Sequence, residues 1–205
     1  MDLNDTNNRA EIRGIVEEEP VFSHEIFGEE FYLFILCSPR LSGVGDHIRV
    51  IVSERIMADC PIKRGCHIAV TGQFRSYNSC DGDSSHLVLS VFARDIKEVS
   101  EEMYEGMANS LYLNGYVCKE PVYRTTPFGR EICDILLAVN RTYNKSDYIP
   151  IIAWGRNARF LRHATVGSNI KVWGRIQSRT YQKRLGGDEV VEKTAYEVSV
   201  CRLQM

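Results

Sequence analysis

Two stretches of this chain set flat aromatic rings and positive charges on alternate residues. Between Asn169 and Tyr181 the apolar set is Ile170, Val172, Gly174 and Ile176, and the intervening set is Lys171, Trp173, Arg175, Gln177, Arg179 and Tyr181. Between Asp147 and Trp154, Ile149, Ile151 and Ala153 alternate with Tyr148, Pro150, Ile152 and Trp154. Successive side chains of a strand point to opposite faces, so a strand at either place buries one set and displays the other. Cations neutralise phosphates and exposed rings stack on unpaired bases. A face built this way suits an unpaired polynucleotide held without reading its sequence.

The elements that must position this face recur twice. Gly14 is matched by Gly115, Glu19-Pro20 by Glu120-Pro121, Phe27-Gly28 by Phe128-Gly129, Arg40 by Arg141 and Asp46 by Asp147, all 101 residues apart. Gly65 and Gly72 match Gly167 and Gly174 at 102, and Arg75-Ser76-Tyr77 matches Arg179-Thr180-Tyr181 at 104. The ordered series predicts two homologous domains, 1–102 and 106–205, joined by a short acidic stretch around 100–106. In the second half, strands are expected at 111–117, 131–139, 147–154, 169–181 and 190–203, with a helix at 157–163. The first half follows the same order at 11–17, 31–38, 47–53, 67–77 and 86–97, with a weak helix at 54–60. The segment 182–187 is expected to be a loop. Three strands, a helix and two strands in about 95 residues predict an all-β chain: two five-stranded barrels of the oligonucleotide/oligosaccharide-binding (OB-fold) type in tandem, each with one short helix between strands 3 and 4. Glycines inside strands, at 72, 115 and 174, suit the sharp bends of a small barrel.

Charge separates the halves. Residues 1–105 hold 10 Lys+Arg against 19 Asp+Glu, a balance of −9, and residues 106–205 hold 15 against 8, a balance of +7. Only the second half is suited to a polyanion. At the positions of Lys171, Trp173 and Arg175 the first half carries Ala69, Thr71 and Gln73, with His47 and Ser53 in place of Tyr148 and Trp154. The first barrel is therefore expected to be degenerate and to serve assembly. The polar, acidic start fits no signal or transit peptide, no apolar run approaches a membrane helix, and seven cysteines without a C-x-x-C pair read as free thiols of a reducing cytoplasm. Cys60, Cys66, His67 and Cys80 match no common metal spacing, so neither metal nor cofactor is expected. The sequence contains no phosphate-binding Gly-Lys-Ser/Thr loop, nucleophile elbow or H-E-x-x-H. The expectation is a non-enzymatic protein.

The second half resembles the bacterial single-stranded DNA-binding protein family. The resemblance rests on Leu113-Asn114-Gly115-Tyr116-Val117, Arg124-Thr125-Thr126-Pro127-Phe128-Gly129, Leu137–Tyr143, Asp147–Arg156 and Gly174–Tyr181, and covers about 110–203. It implies stacking by Tyr143, Tyr148, Trp154 and Tyr181, and phosphate contact by Arg124, Arg141, Arg156, Arg175 and Arg179. Facial alternation adds Lys171 and Trp173, for which interface packing competes, and Lys183 in the connecting segment. The family's acidic-tipped tail has no counterpart before Met205, so the resemblance is to a version lacking it. It implies a protein that coats or protects single-stranded DNA in replication, repair or recombination, with RNA open as a ligand. It also implies a cytoplasmic, nucleoid-associated, membrane-free setting and a homodimer presenting four barrels. The competing reading is an adaptor of replication restart or replisome assembly, with weak DNA contact and protein partners met through the acidic half.

Overall fold

A computed structural model describes residues 7–81, 84–100, 108–186 and 189–205, with side chains described outside 80–85 and 183–190. The first six strands are β1 (Asn8–Val16), β2 (Val21–Ile26), β3 (Glu29–Pro39), β4 (Gly45–Ser53), β5 (His67–Asp81) and β6 (Ser84–Glu98), with helix α1 (Glu54–Asp59) after β4. The second six are β7 (Asn109–Val117), β8 (Val122–Thr125), β9 (Glu131–Asn140), β10 (Ser146–Trp154), β11 (Asn169–Gly186) and β12 (Glu189–Gln204), with helix α2 (Arg156–Leu161) after β10.

Alternation closes each set into a barrel. In β1 the inward residues are Asn8, Ala10, Ile12, Gly14 and Val16, and in β7 they are Asn109, Leu111, Leu113, Gly115 and Val117. Five strands close in the order β1-β3-β4-β6-β5 and back to β1, the β4–β6 pair being parallel; β7-β9-β10-β12-β11 does the same. Phe34, Phe74, Leu36 and Ile48 fill the first barrel, and Leu137, Ile149, Ile151 and Leu161 the second. These are two tandem OB-fold barrels. The sequence reading missed β2 and β8, which fold back as edge hairpins on β3 and β9. Both are exposed along their length, and a register shift between Phe22 and His24 breaks the alternation of β2. The expected loop at 182–187 is also corrected. β11 runs on to Gly186 and pairs Lys183 with Val191, so the segment up to Gly186 belongs to a long hairpin.

Glycine marks where the barrels kink. Gly72 and Gly174 sit at register shifts in β5 and β11, and a Cβ there would lie 2.2 Å from the Phe92 carbonyl oxygen and 2.4 Å from that of Ser199. Backbone cannot yield as a flexible side chain does. Gly174→Ala is expected to cost about 1–3 kcal/mol of unfolding free energy in a denaturant titration.

The barrels share one sheet. β1 and β7 pair antiparallel from Asn8↔Leu113 to Ile12↔Asn109, making twelve strands continuous. The join has a pseudo-two-fold arrangement. The Asn8 amide bridges the Phe74 main chain through bonds of 2.8 and 2.9 Å, and Asn109 does the same to Ile176 at 2.7 and 2.9 Å. Asp46 of the first barrel accepts the Ser178 N–H at 2.9 Å, and Asp147 of the second accepts the Ser76 N–H at 2.7 Å. Each serine returns a bond, Ser178 Oγ accepting from His47 N–H and Ser76 Oγ from Tyr148 N–H. Arg40 pairs with Asp46, and Arg141 with Asp147 at 3.1 Å. Ser76 and Ser178 are thus equivalent at a spacing of 102, which corrects the 104 read from Arg75-Ser76-Tyr77. A chance match of residue types two positions on had mimicked the repeat.

Candidate nucleic-acid interface

β10 and β11 carry the rings and cations on the outer surface of the second barrel. In β10 the buried residues are Asp147, Ile149 and Ile151 to Ala153, while Tyr148 and Trp154 are 46% and 40% exposed. Tyr181 is 42% exposed on β11, and Ile170, Val172 and Ile176 are fully buried behind that strand. β12 lies between the two, pairing with β10 at Ile151↔Val198 and with β11 at Ala195↔Arg179 and Lys193↔Tyr181. The β10–β12 pairing is short, Ile151↔Val198 and Ile152↔Ser199. At Tyr148 the strand still pairs with Ala138 of β9, but its N–H turns to Ser76 Oγ of the first barrel. Trp154 lies six residues from Tyr148 along β10, roughly 20 Å at about 3.3 Å per residue. Tyr181 lies in the long β11–β12 hairpin opposite Lys193.

Tyr143 is 92% exposed in the turn between β9 and β10, with a left-handed φ of 60°. Such a φ is uncommon for a non-glycine residue and is found at turns and functional sites. Trp173 stands differently. It packs on Tyr112 with ring centroids 5.1 Å apart and lies under the Arg202 guanidinium at 4.8 Å. The registers Tyr112↔Trp173 and Trp173↔Arg202 make this a cross-strand ladder on the same outer face. Trp173 is thus held between neighbours on its own sheet, unlike the more exposed Tyr148, Trp154 and Tyr181.

The expected cations divide into two groups. Arg141 is drawn onto Asp147, and Arg124 onto Asp134 at 2.9 Å. Among the described residues no ion pair holds Arg156, Lys171, Arg175 or Arg179. Arg156 opens α2 just after Trp154, and is exposed, as is Arg179. Arg159 is engaged by Glu131 at 3.2 Å and Arg162 lies over the Tyr123 ring. Lys183 falls outside the residues whose side chains are described. The face is not uniformly positive. Glu197 lies on it, and burial first of all pushes its carboxyl above the usual range, while Arg179 and Arg124 pull it down.

Sequence reasoning passed over Arg49, Tyr196 and Lys193. They border a cavity of about 460 Å³ between the barrels, with Ile35, Leu87, Pro150 and Tyr181. Tyr196 falls in the same alternating set as Val198 and Val200 along its strand and reads as a core ring, and Arg49 lies in the acidic half. Only the 101-residue match of Arg49 to Pro150 could have brought the two together. Among the described residues, Glu17, Cys37 and His47 form a group able to hold a metal ion, their ligand atoms within 4.8 Å of one another. As it stands, His47 Nδ1 is 2.7 Å from Glu17 Oε2. Burial, followed by Glu17 and Asp46, pushes the Cys37 thiol up, away from the thiolate that binds metal. The described residues contain no helix long and apolar enough to cross a membrane.

The fold has counterparts among solved structures. The single-stranded DNA-binding protein of Thermus aquaticus superposes with a TM-score of 0.74 at 21% identity, over 96% of this chain and 91% of that one. A deletion mutant of the same protein gives 0.76 at 20% identity. In sequence, "Single-stranded DNA-binding protein 1" of Staphylococcus aureus is 37% identical over 87 residues, covering 39% of this chain and 52% of that protein. "Single-stranded DNA-binding protein A" of Bacillus subtilis is 36% identical over 90 residues, covering 39% and 51%. The chain thus spans about half the length of these relatives. The pattern of the single-strand binding protein family matches residues 108–205, the whole of the second barrel from the start of β7 onward. Over those residues the chain is similar to the single-strand binding protein family.

Proposed function

We propose that this chain binds single-stranded DNA along the outer face of its second barrel, holding bases by stacking and phosphates by charge, largely without regard to sequence. The observation that carries this reading is the joint exposure of Tyr148 and Trp154 on β10 and of Tyr181 on β11, where Arg175 and Arg179 fall in the same alternating set along the strand. Its relatives are named for the same ligand. The units that act are the second barrel, 106–205, for the strand, and the first, 1–102, for assembly. A homodimer would present four barrels, and the exposed Val21, Phe22 and Ile26 on edge strand β2, with Phe27 in the turn after it, supply apolar surface for it. The cellular setting is replication, repair and recombination at the nucleoid, and no step requires catalysis.

Anisotropy titration of labelled oligo-dT, oligo-dC and a duplex of equal length tests the reading. Both single strands are expected to bind within a few-fold of each other and far more tightly than the duplex. The four cations that no ion pair holds among the described residues, at about 0.7 per phosphate, predict a log–log salt slope of roughly −3. Preference for the duplex, or binding that ignores salt, would remove the proposal. The adaptor reading draws on the −9 balance of residues 1–105 and on that apolar edge. It gains if oligonucleotide binding appears only with a protein partner present.

A further inference from the structure

The cavity between the barrels lies on their pseudo-two-fold axis. Arg49 and Pro150 occupy equivalent places in β4 and β10, 101 residues apart, and both line it. Leu89 and Tyr196 are equivalent too, opposite Ser76 and Ser178 in their hairpins, and both line it. The two repeats have diverged at the axis. One contributes a guanidinium where the other has proline, and one a phenol where the other has leucine.

What they have diverged toward is read from the lining. The Arg49 Nε is buried with no hydrogen-bond partner among the described residues. A buried donor left unpaired is costly, and a guanidinium is well suited to a phosphate or other flat anion. Tyr196 is largely withdrawn from water close to Arg49, and Tyr181 stands on the cavity wall with Lys193 beside it. Ile35, Leu87 and Pro150 supply apolar walls. A volume of about 460 Å³ falls in the size range of small-ligand sites. Tyr181 belongs to the exposed face of the second barrel as well, so a strand on that face reaches the cavity without a break.

We propose that this cavity takes one nucleotide of the bound strand, its phosphate on Arg49 and Lys193 and its base against Tyr181 and Tyr196. The first barrel, despite its acidic balance, then contributes a cation to the binding path. This rests on the second barrel holding single-stranded DNA, and extends that path across the axis.

The test is a length series of oligo-dT with the full chain, read by Trp fluorescence across a salt series. Short oligomers remain on the second barrel, and longer ones enter the cavity. Arg49→Met is expected to leave short-oligomer affinity unchanged. It should lower long-oligomer affinity about three- to ten-fold and reduce the salt slope by about 0.7, one phosphate. Lys193→Gln should act in the same direction and gives the same test should Arg49→Met fold poorly. Equal affinity and slope at every length in both variants would overturn the cavity site while leaving the second-barrel reading standing. Loss of all binding on Trp154→Ala, or none, speaks only to the latter. Thymidine monophosphate alone should not shift the thermal midpoint. If it does, and the length series is flat, the cavity is a free-nucleotide site and this proposal is wrong.

Discussion

Trp154→Ala lowers the affinity for oligo-dT by ten-fold or more, while Trp154→Phe retains most of it. The ring closes β10, opposite Ile132 across the sheet and just before Gly155, whose φ of 54° turns the chain into α2. That turn leaves the indole 40% exposed rather than folded under the helix. A stacked base is worth about 1–3 kcal/mol by alanine substitution, which is a factor of about 5 to 150. A half-exposed ring contributes little to the core, so the folding midpoint should move by less than a few degrees. The check is a pair of titrations, one at low and one at high salt, beside a thermal melt. Loss of stacking removes affinity at both salts and leaves the slope unchanged, since no phosphate contact is lost. A change under two-fold at both salts would take Trp154 out of the site.

The second large effect concerns the join rather than the ligand. Asp147→Ala is expected to destabilise the chain by about 3–5 kcal/mol, as breaking a buried ion pair by removing one partner does. The carboxylate is fully buried and accepts from both the Ser76 N–H and Arg141. Its removal leaves a donor and a guanidinium unpaired at the seam between barrels. Burial of Arg75 nearby, reinforced by Arg141, already pushes that guanidinium down to about 10, so the seam holds positive charge that Asp147 helps to offset. Asp147→Asn keeps an acceptor for Ser76 and should cost less. Burial raises the Asp147 carboxyl above its usual range, so folding takes up a proton just above that range. The sign follows: wild type gains stability relative to Asp147→Asn as pH falls through that window, and loses it as pH rises. Denaturant titrations of the three proteins between acid and neutral pH measure both effects. Equal stability of Asp147→Ala and wild type would mean that the barrels are held by the β1–β7 ladder without help from this pair.

Asp147 also shows where sequence stops informing. The repeat pairing of Arg40 with Arg141 and Asp46 with Asp147 was visible as spacing, but not that each Asp reaches a serine of the opposite barrel. A contact 71 residues away in the chain leaves no local pattern. Residue type and family resemblance both point to Arg141 as a phosphate ligand, and neither shows that its guanidinium also pairs with the buried Asp147. The facing rings were readable because period-two alternation depends only on neighbours, and Tyr148, Trp154 and Tyr181 are displayed as alternation required. Trp173 obeys the same alternation but meets Tyr112 and Arg202, which only strand registry brings beside it. The barrel order was readable for a similar reason: five buried strands carry strong apolar signals, whereas β2 and β8 bury almost nothing and carry none. Arg49 and Tyr196 were invisible for the opposite cause. Each looks ordinary in its own strand, and the cavity exists only where two strands from different repeats meet.

One spectroscopic experiment bears most directly on the claim that an open ring-and-cation face holds the strand. In a Trp173→Phe chain, Trp154 is the sole tryptophan, since the sequence has two. Its emission should be strongly quenched by oligo-dT at low salt, with the midpoint moving to higher oligomer concentration as salt is raised and the quench at saturation unchanged. An oligomer that binds by anisotropy yet leaves Trp154 emission untouched would show that the strand lies elsewhere on the molecule.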